Sequence, residues 1–172
     1  MNPAVGDIVL VHTPFVLSKP GTWFGVLIRF GAWLRKDTRP YRHWNHAAVV
    51  LTSMGSLADP QARGVALTNL ADYAPENYRV VHPYGYGQGE AHDAHQRATF
   101  AARQIGVPYG WLSIVWQAVL ILLGGRLVVD VDRSWFCSEL AAAALLRSDI
   151  DLGMAPARVT PAHLAAYFDV RP

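Results

Sequence analysis

The sequence predicts an α+β domain in which an antiparallel sheet of about five short strands carries, on one face, a helix that begins at Cys137. Three observations point there. Short apolar or alternating runs at residues 8–11, 44–51, 57–60, 63–67 and 78–82 are separated by glycine, proline and polar turns. The run 141–146 that follows the single cysteine consists of alanine and leucine, strong helix formers. A chain of 172 residues, 52% hydrophobic and 16% charged, has the size and composition of one globular domain, residues 1–172, with a sizeable core.

The same composition excludes several classes. A net charge of +2 is too small to argue for nucleic acid. One cysteine forms neither a disulfide framework nor a cysteine metal cluster. Residues 1–7 show no basic segment followed by an apolar core, so no secretory signal is read and a cytoplasmic or phage-associated protein is expected. The apolar run 111–123 includes Ser113 and Gln117 and stops at Gly124-Gly125. It is short for a membrane span and predicts a buried core helix. No internal repeat or low-complexity segment is visible.

Taken in order, Gly6-Asp7 opens the first strand at residues 8–11, whose unbroken apolar run implies burial on both faces. Thr22 caps a helix over residues 23–36, with Trp23, Val26, Leu27, Phe30 and Trp33 or Leu34 at helical spacing and Arg29, Arg35 and Lys36 opposite. That stripe packs on the core or forms an amphipathic lid touching a membrane surface. Residues 36–42 form a basic loop. The run 44–51 is an interior strand with His46 at its entrance. A turn through Gly55 leads to a return strand at residues 57–60, where Pro60 must end the ladder or lie on an edge. That hairpin brings Asp59 beside His46, and a carboxylate there holds the imidazole in one tautomer and stabilises the imidazolium. Residues 63–67 and 78–82 read as further strands, with a short segment at 70–73 between them.

The glycine-tyrosine loop at 84–89 lacks the strand–glycine–helix order of a phosphate-binding loop, so no nucleotide is assigned. Residues 90–105 predict a helix. His92 and His95 lie three apart on it near Glu90 and Asp93, a spacing that fits a solvated helix face better than a zinc site, because metal ligands must converge. Residues 105–111 turn into the apolar helix, and 127–129 form a short extended stretch. At the end of the chain, Thr160-Pro161 is a good cap and first-turn pair for a helix reaching about Phe168.

Cys137 sits where a helix should start, with Ser134 upstream as a cap. The dipole and unpaired backbone N–H groups of a first turn favour thiolate. A lone cysteine is equally readily a small buried hydrophobe, so its role rests on what surrounds it.

Four motifs supply that context. Gly6-Asp7-Ile8-Val9-Leu10, Asn45-His46-Ala47-Ala48-Val49-Val50, Gly106-Val107-Pro108-Tyr109-Gly110-Trp111 and Phe136-Cys137-Ser138-Glu139-Leu140 together resemble the NlpC-type (NlpC/p-sixty) papain-like cysteine hydrolase superfamily. The histidine strand precedes the cysteine, as in its circularly permuted branch of YaeF/YiiX-like and lecithin:retinol acyltransferase-like proteins. The resemblance implies a papain-like fold with Cys137 as nucleophile, His46 as base, Asp59 as the third polar residue and Tyr109 as an extra oxyanion donor. Aspartate followed by proline at 59–60 departs from the glutamate-alanine of many permuted members.

That resemblance implies a thiol hydrolase that cleaves an amide, such as one in a peptidoglycan stem peptide, through a thioester and with no metal or organic cofactor. Two alternatives remain open: a lipid acyl hydrolase or acyltransferase at a membrane surface, or a non-catalytic binding module. The partner is accordingly a peptide or an acyl lipid. Neither the scissile bond nor the oligomeric state is written in the sequence.

Overall fold

The computed structural model describes residues 3–12, 38–83, 90–108 and 135–172. The predicted helices at 23–36 and 111–123, the 84–89 loop, Tyr109, the stretch 127–129 and the Ser134 cap lie outside these residues. Within them the chain is α+β. Five strands, β1 (Ile8–Val11), β2 (His46–Val50), β3 (Ser56–Gln61), β4 (Gly64–Asn69) and β5 (Tyr78–Val81), form one antiparallel sheet in the order β4-β3-β2-β1-β5. Three helices, α1 (Glu90–Ala102), α2 (Cys137–Leu146) and α3 (Pro161–Tyr167), accompany it. The first helix ends at Ala102, three residues short of its predicted Ile105.

Alternation along the strands sorts the side chains into two layers. Ile8, Leu10, Ala47, Val49 and Ala58 pack with Leu140, Ala141, Ala144, Leu145 and Leu164 in a core between the sheet and the helices. Val9, Val11, Ala48, Val50 and Leu57 cluster on the opposite face with Leu70, Tyr73 and Tyr78. Central strands with two apolar faces explain the unbroken hydrophobic runs of β1 and β2.

The ladders then separate in a way that matters for the site. β3 pairs with β4 along its whole length, from Ser56↔Asn69 to Gln61↔Gly64. It pairs with β2 only at Val49↔Ala58 and Val50↔Leu57. Continued by one more step, that register would set Asp59 opposite Ala48, and then Pro60, which has no N–H to donate, opposite Ala47. β2 and β3 instead part beyond Ala58, leaving an opening at the entrance of β2.

Buried Arg97 fastens α1 to the sheet and to α2. Its Nε donates to the Gly6 carbonyl (2.9 Å), Nη1 to Ser148 Oγ (2.8 Å) and Nη2 to the Pro83 carbonyl (3.2 Å). Gly6 has φ +78°, and a Cβ built there would lie 2.3 Å from the Ala94 carbonyl oxygen of α1. Gly6→Ala therefore forces both a left-handed backbone and a clash between two main chains. We expect it to destabilise the fold by about 2–4 kcal/mol, read as a lower urea midpoint with little change in slope.

Candidate active site

Cys137 is the first residue of α2 and Phe136 precedes it with extended backbone (φ −106°, ψ 163°). Phenylalanine has no side-chain acceptor to cap the helix. Glu139 supplies one half of a capping box instead, its Oε2 accepting the Phe136 N–H at 3.4 Å. The alanine-rich helix behind Cys137 is almost wholly buried, which fixes the direction in which its first turn points. Ser138 Oγ donates to the Val159 carbonyl (2.7 Å) and locks that turn to the chain before α3. Thr160 caps α3 as its sequence predicts, accepting the His163 N–H at 3.3 Å.

The thiol meets the sheet where β2 and β3 part. The backbone N–H groups of Ala47 and Ser138 and the His46 ring are the polar groups that act on the Cys137 sulfur. On its other side His46 Nε2–H donates to Asp59 Oδ1 at 2.6 Å. Nε2 is thereby committed to the carboxylate, and Nδ1 is the ring nitrogen left for the thiol. Three of the four residues singled out from the sequence are thus in one relay, Asp59–His46–Cys137. The fourth, Tyr109, is outside the described residues.

Asp59 is fully buried, and each of its oxygens is used. Oδ2 accepts from the Tyr73 hydroxyl (2.6 Å), Gln61 Nε2 (3.0 Å) and Thr68 Oγ1 (3.1 Å). The sheet register explains this convergence. Gln61 lies two residues along the same strand face, and Thr68 comes from β4, where Ala66 sits directly opposite Asp59. Tyr73 follows a single 3-10 turn, Leu70–Asp72, capped by Asn69. None of these three residues belongs to a sequence motif. Period-two alternation alone would have placed Gln61 beside Asp59.

The charges follow from the geometry. Burial raises the Asp59 carboxyl, but the His46 charge and hydrogen bond, with the hydrogen bonds of Tyr73 and Gln61, hold it well below the usual carboxylate range. Burial and the Asp59 charge push the Tyr73 hydroxyl far above an ordinary phenol, so it stays a donor. Burial works against a charged His46, yet Asp59 and Cys137 outweigh it and lift the imidazolium to about 10. Burial likewise pushes the Cys137 thiol up, and the His46 charge and hydrogen bond together with the N–H groups of Ala47 and Ser138 bring it below an ordinary thiol. The arrangement favours carboxylate, imidazolium and thiolate in sequence. Chemically, such a relay presents an ionised nucleophile and a proton donor to the same carbonyl group.

His92 and His95 are on the exposed side of α1. His95 Nδ1–H donates to the Ala91 carbonyl at 2.8 Å, and His92 Nδ1 lies 3.7 Å from Asp93 Oδ1. Among the described residues no three histidine, cysteine, aspartate or glutamate side chains converge to hold a metal ion. Nor is any helix among them long and apolar enough to cross a membrane.

No protein-family model matches the sequence, and no curated protein matches it. Among solved structures, the fold is similar to a crystal structure described as that of the metalloprotein yiiX from Escherichia coli O157:H7 (DUF1105). The TM-score is 0.53 at 18% sequence identity, over 90% of this chain and 69% of that one. The chain therefore has a YiiX-like fold.

Proposed function

We propose that the chain is a cysteine hydrolase on a permuted NlpC-type papain-like fold, cleaving an amide through a thioester on Cys137. The observation that supports this most is the relay Asp59–His46–Cys137, in which a buried carboxylate, an imidazole and a helix-start thiol are hydrogen-bonded in series. A cysteine kept only for packing has no need of an imidazole, let alone one fixed by a four-coordinated carboxylate.

In this reading the Cys137 thiolate attacks the carbonyl carbon of the substrate amide. The oxyanion is met by N–H groups of the α2 first turn, with the Tyr109 hydroxyl as a further donor by family resemblance. The C–N bond breaks as His46 gives its Nδ1 proton to the leaving amine, and a thioester remains. His46, now neutral, takes a proton from the attacking water, and the thiolate departs. Asp59 keeps Nε2–H in place throughout and balances each imidazolium. Resemblance supports a peptide amide as substrate, peptidoglycan stem peptides being the first to assay.

The decisive test needs no substrate. The thiolate content of Cys137, followed by ultraviolet absorbance and by iodoacetamide alkylation, is measured against pH, with Cys137→Ala as the blank. We expect thiolate and reaction well below the ordinary thiol range of about 8.5. A titration like that of a free thiol, or no thiolate at any pH, would sink the proposal and leave a non-catalytic binding module.

A further inference from the structure

A second feature lies at the far end of α2 from the thiol. His92, His95 and Thr99 recur at helical spacing along the exposed face of α1, and Arg103 follows directly after its end. With Phe100 and with Arg147, the residue that ends α2, they line a cavity of about 600 Å³. That volume is in the range of small-ligand sites. Arg147 lies ten positions along the helix from Cys137, a rise of about 15 Å, so this groove is apart from the relay.

Its chemistry is one-sided. Among the described residues the lining contains two guanidinium groups and two imidazoles, and no carboxylate. Neither Arg103 nor Arg147 has an acidic partner among the described residues. The floor is rigid: Trp135 Nε1–H donates to Gln104 Oε1 at 2.8 Å, and its ring meets Phe100 edge-on at 5.8 Å. Arg147 rests over the same Phe100 ring, 5.0 Å from its centre. Stacking of that kind restrains the guanidinium while leaving its N–H edge free to donate. Two cations facing one open groove, with no counterion among the described residues, repel each other, and a tetrahedral oxyanion removes that repulsion while accepting paired N–H donors.

We propose that the groove between α1 and the end of α2 binds a phosphate-type anion, held by Arg103 and Arg147 and separate from the thiol. The anion is either free phosphate or the phosphate of a lipid headgroup. The full chain is titrated with inorganic phosphate by calorimetry against chloride of matched ionic strength. It is also sedimented with vesicles of phosphatidylglycerol and of phosphatidylcholine. The same is done for Arg103→Gln, Arg147→Gln and the double variant, with Arg79→Gln, on exposed β5, as the charge control.

Saturable phosphate binding that falls about tenfold with each groove substitution, and not with Arg79→Gln, is the expected result for the free anion. Binding to phosphatidylglycerol vesicles alone, lost in the double variant only, assigns the headgroup. No saturable binding to either, or equal losses with Arg79→Gln, overturns the proposal and leaves a merely basic surface. Since every readout is binding, the outcome is independent of whether Cys137 is a nucleophile.

Discussion

His46→Ala moves the Cys137 titration upward, to the ordinary thiol value of about 8.5 or beyond it, and lowers the thiolate population at neutral pH. The imidazolium charge and its hydrogen bond are the first two influences that oppose burial at this sulfur. Without them the N–H groups of Ala47 and Ser138 remain, but burial then prevails and carries the thiol upward. Alkylation should fall by less than the thiolate population, since a more basic thiolate is intrinsically the better nucleophile. The midpoint of the titration is therefore the sharper measurement. In the native chain the plateau extends from the depressed thiol value up to the loss of the His46 proton, at about 10, and these limbs belong to the coupled pair. A native plateau that His46→Ala leaves in place would mean that the helix start alone ionises Cys137, and would remove His46 from the mechanism.

The parts of this site differ in how far the sequence discloses them, and the difference is physical. Cys137 and His46 are legible because local chemistry marks them: a thiol ahead of a run of helix formers, and an imidazole at the mouth of a strand with two apolar faces. Asp59 follows from one further step, the hairpin through Gly55, which has the left-handed φ of +83° that such a turn requires. Gln61 follows from period-two alternation along β3, but Tyr73 and Thr68 do not, because they reach Asp59 only through the β3–β4 register and the 3-10 turn beyond it. The position of β5 next to β1 is likewise a long-range pairing. Pro60 is an intermediate case. Its missing N–H predicts an interrupted ladder, yet β3 is not an edge strand. The interruption falls on the β2 side alone, at the end of β2 that carries His46.

Asp59→Ala should cost about 3–5 kcal/mol of folding stability, the usual consequence of removing one member of a buried charge pair. It would leave the His46 imidazole and the donors of Gln61, Thr68 and Tyr73 facing a cavity with no acceptor. Asp59→Asn preserves the shape and one acceptor oxygen, so its cost is smaller, about 1–3 kcal/mol. It removes the charge that keeps His46 protonated, and the thiolate at neutral pH goes with it. The two variants thus divide packing from electrostatics. The pH dependence has a definite sign. The folded Asp59 value is depressed, so its stabilisation is complete above the unfolded aspartate value of about 3.9 and is lost as pH falls toward the folded one. The folded His46 value is raised, so its stabilisation is complete below about 6.5 and is lost as pH climbs through the folded value. Both are present together between those limits. The stability gap between the native chain and Asp59→Asn, from urea unfolding, should therefore be widest near pH 5–6 and shrink in acid and again in strong alkali. A gap that is flat from acid to alkali would mean that neither group titrates differently in the folded and unfolded chain, which leaves no buried ion pair to ionise Cys137.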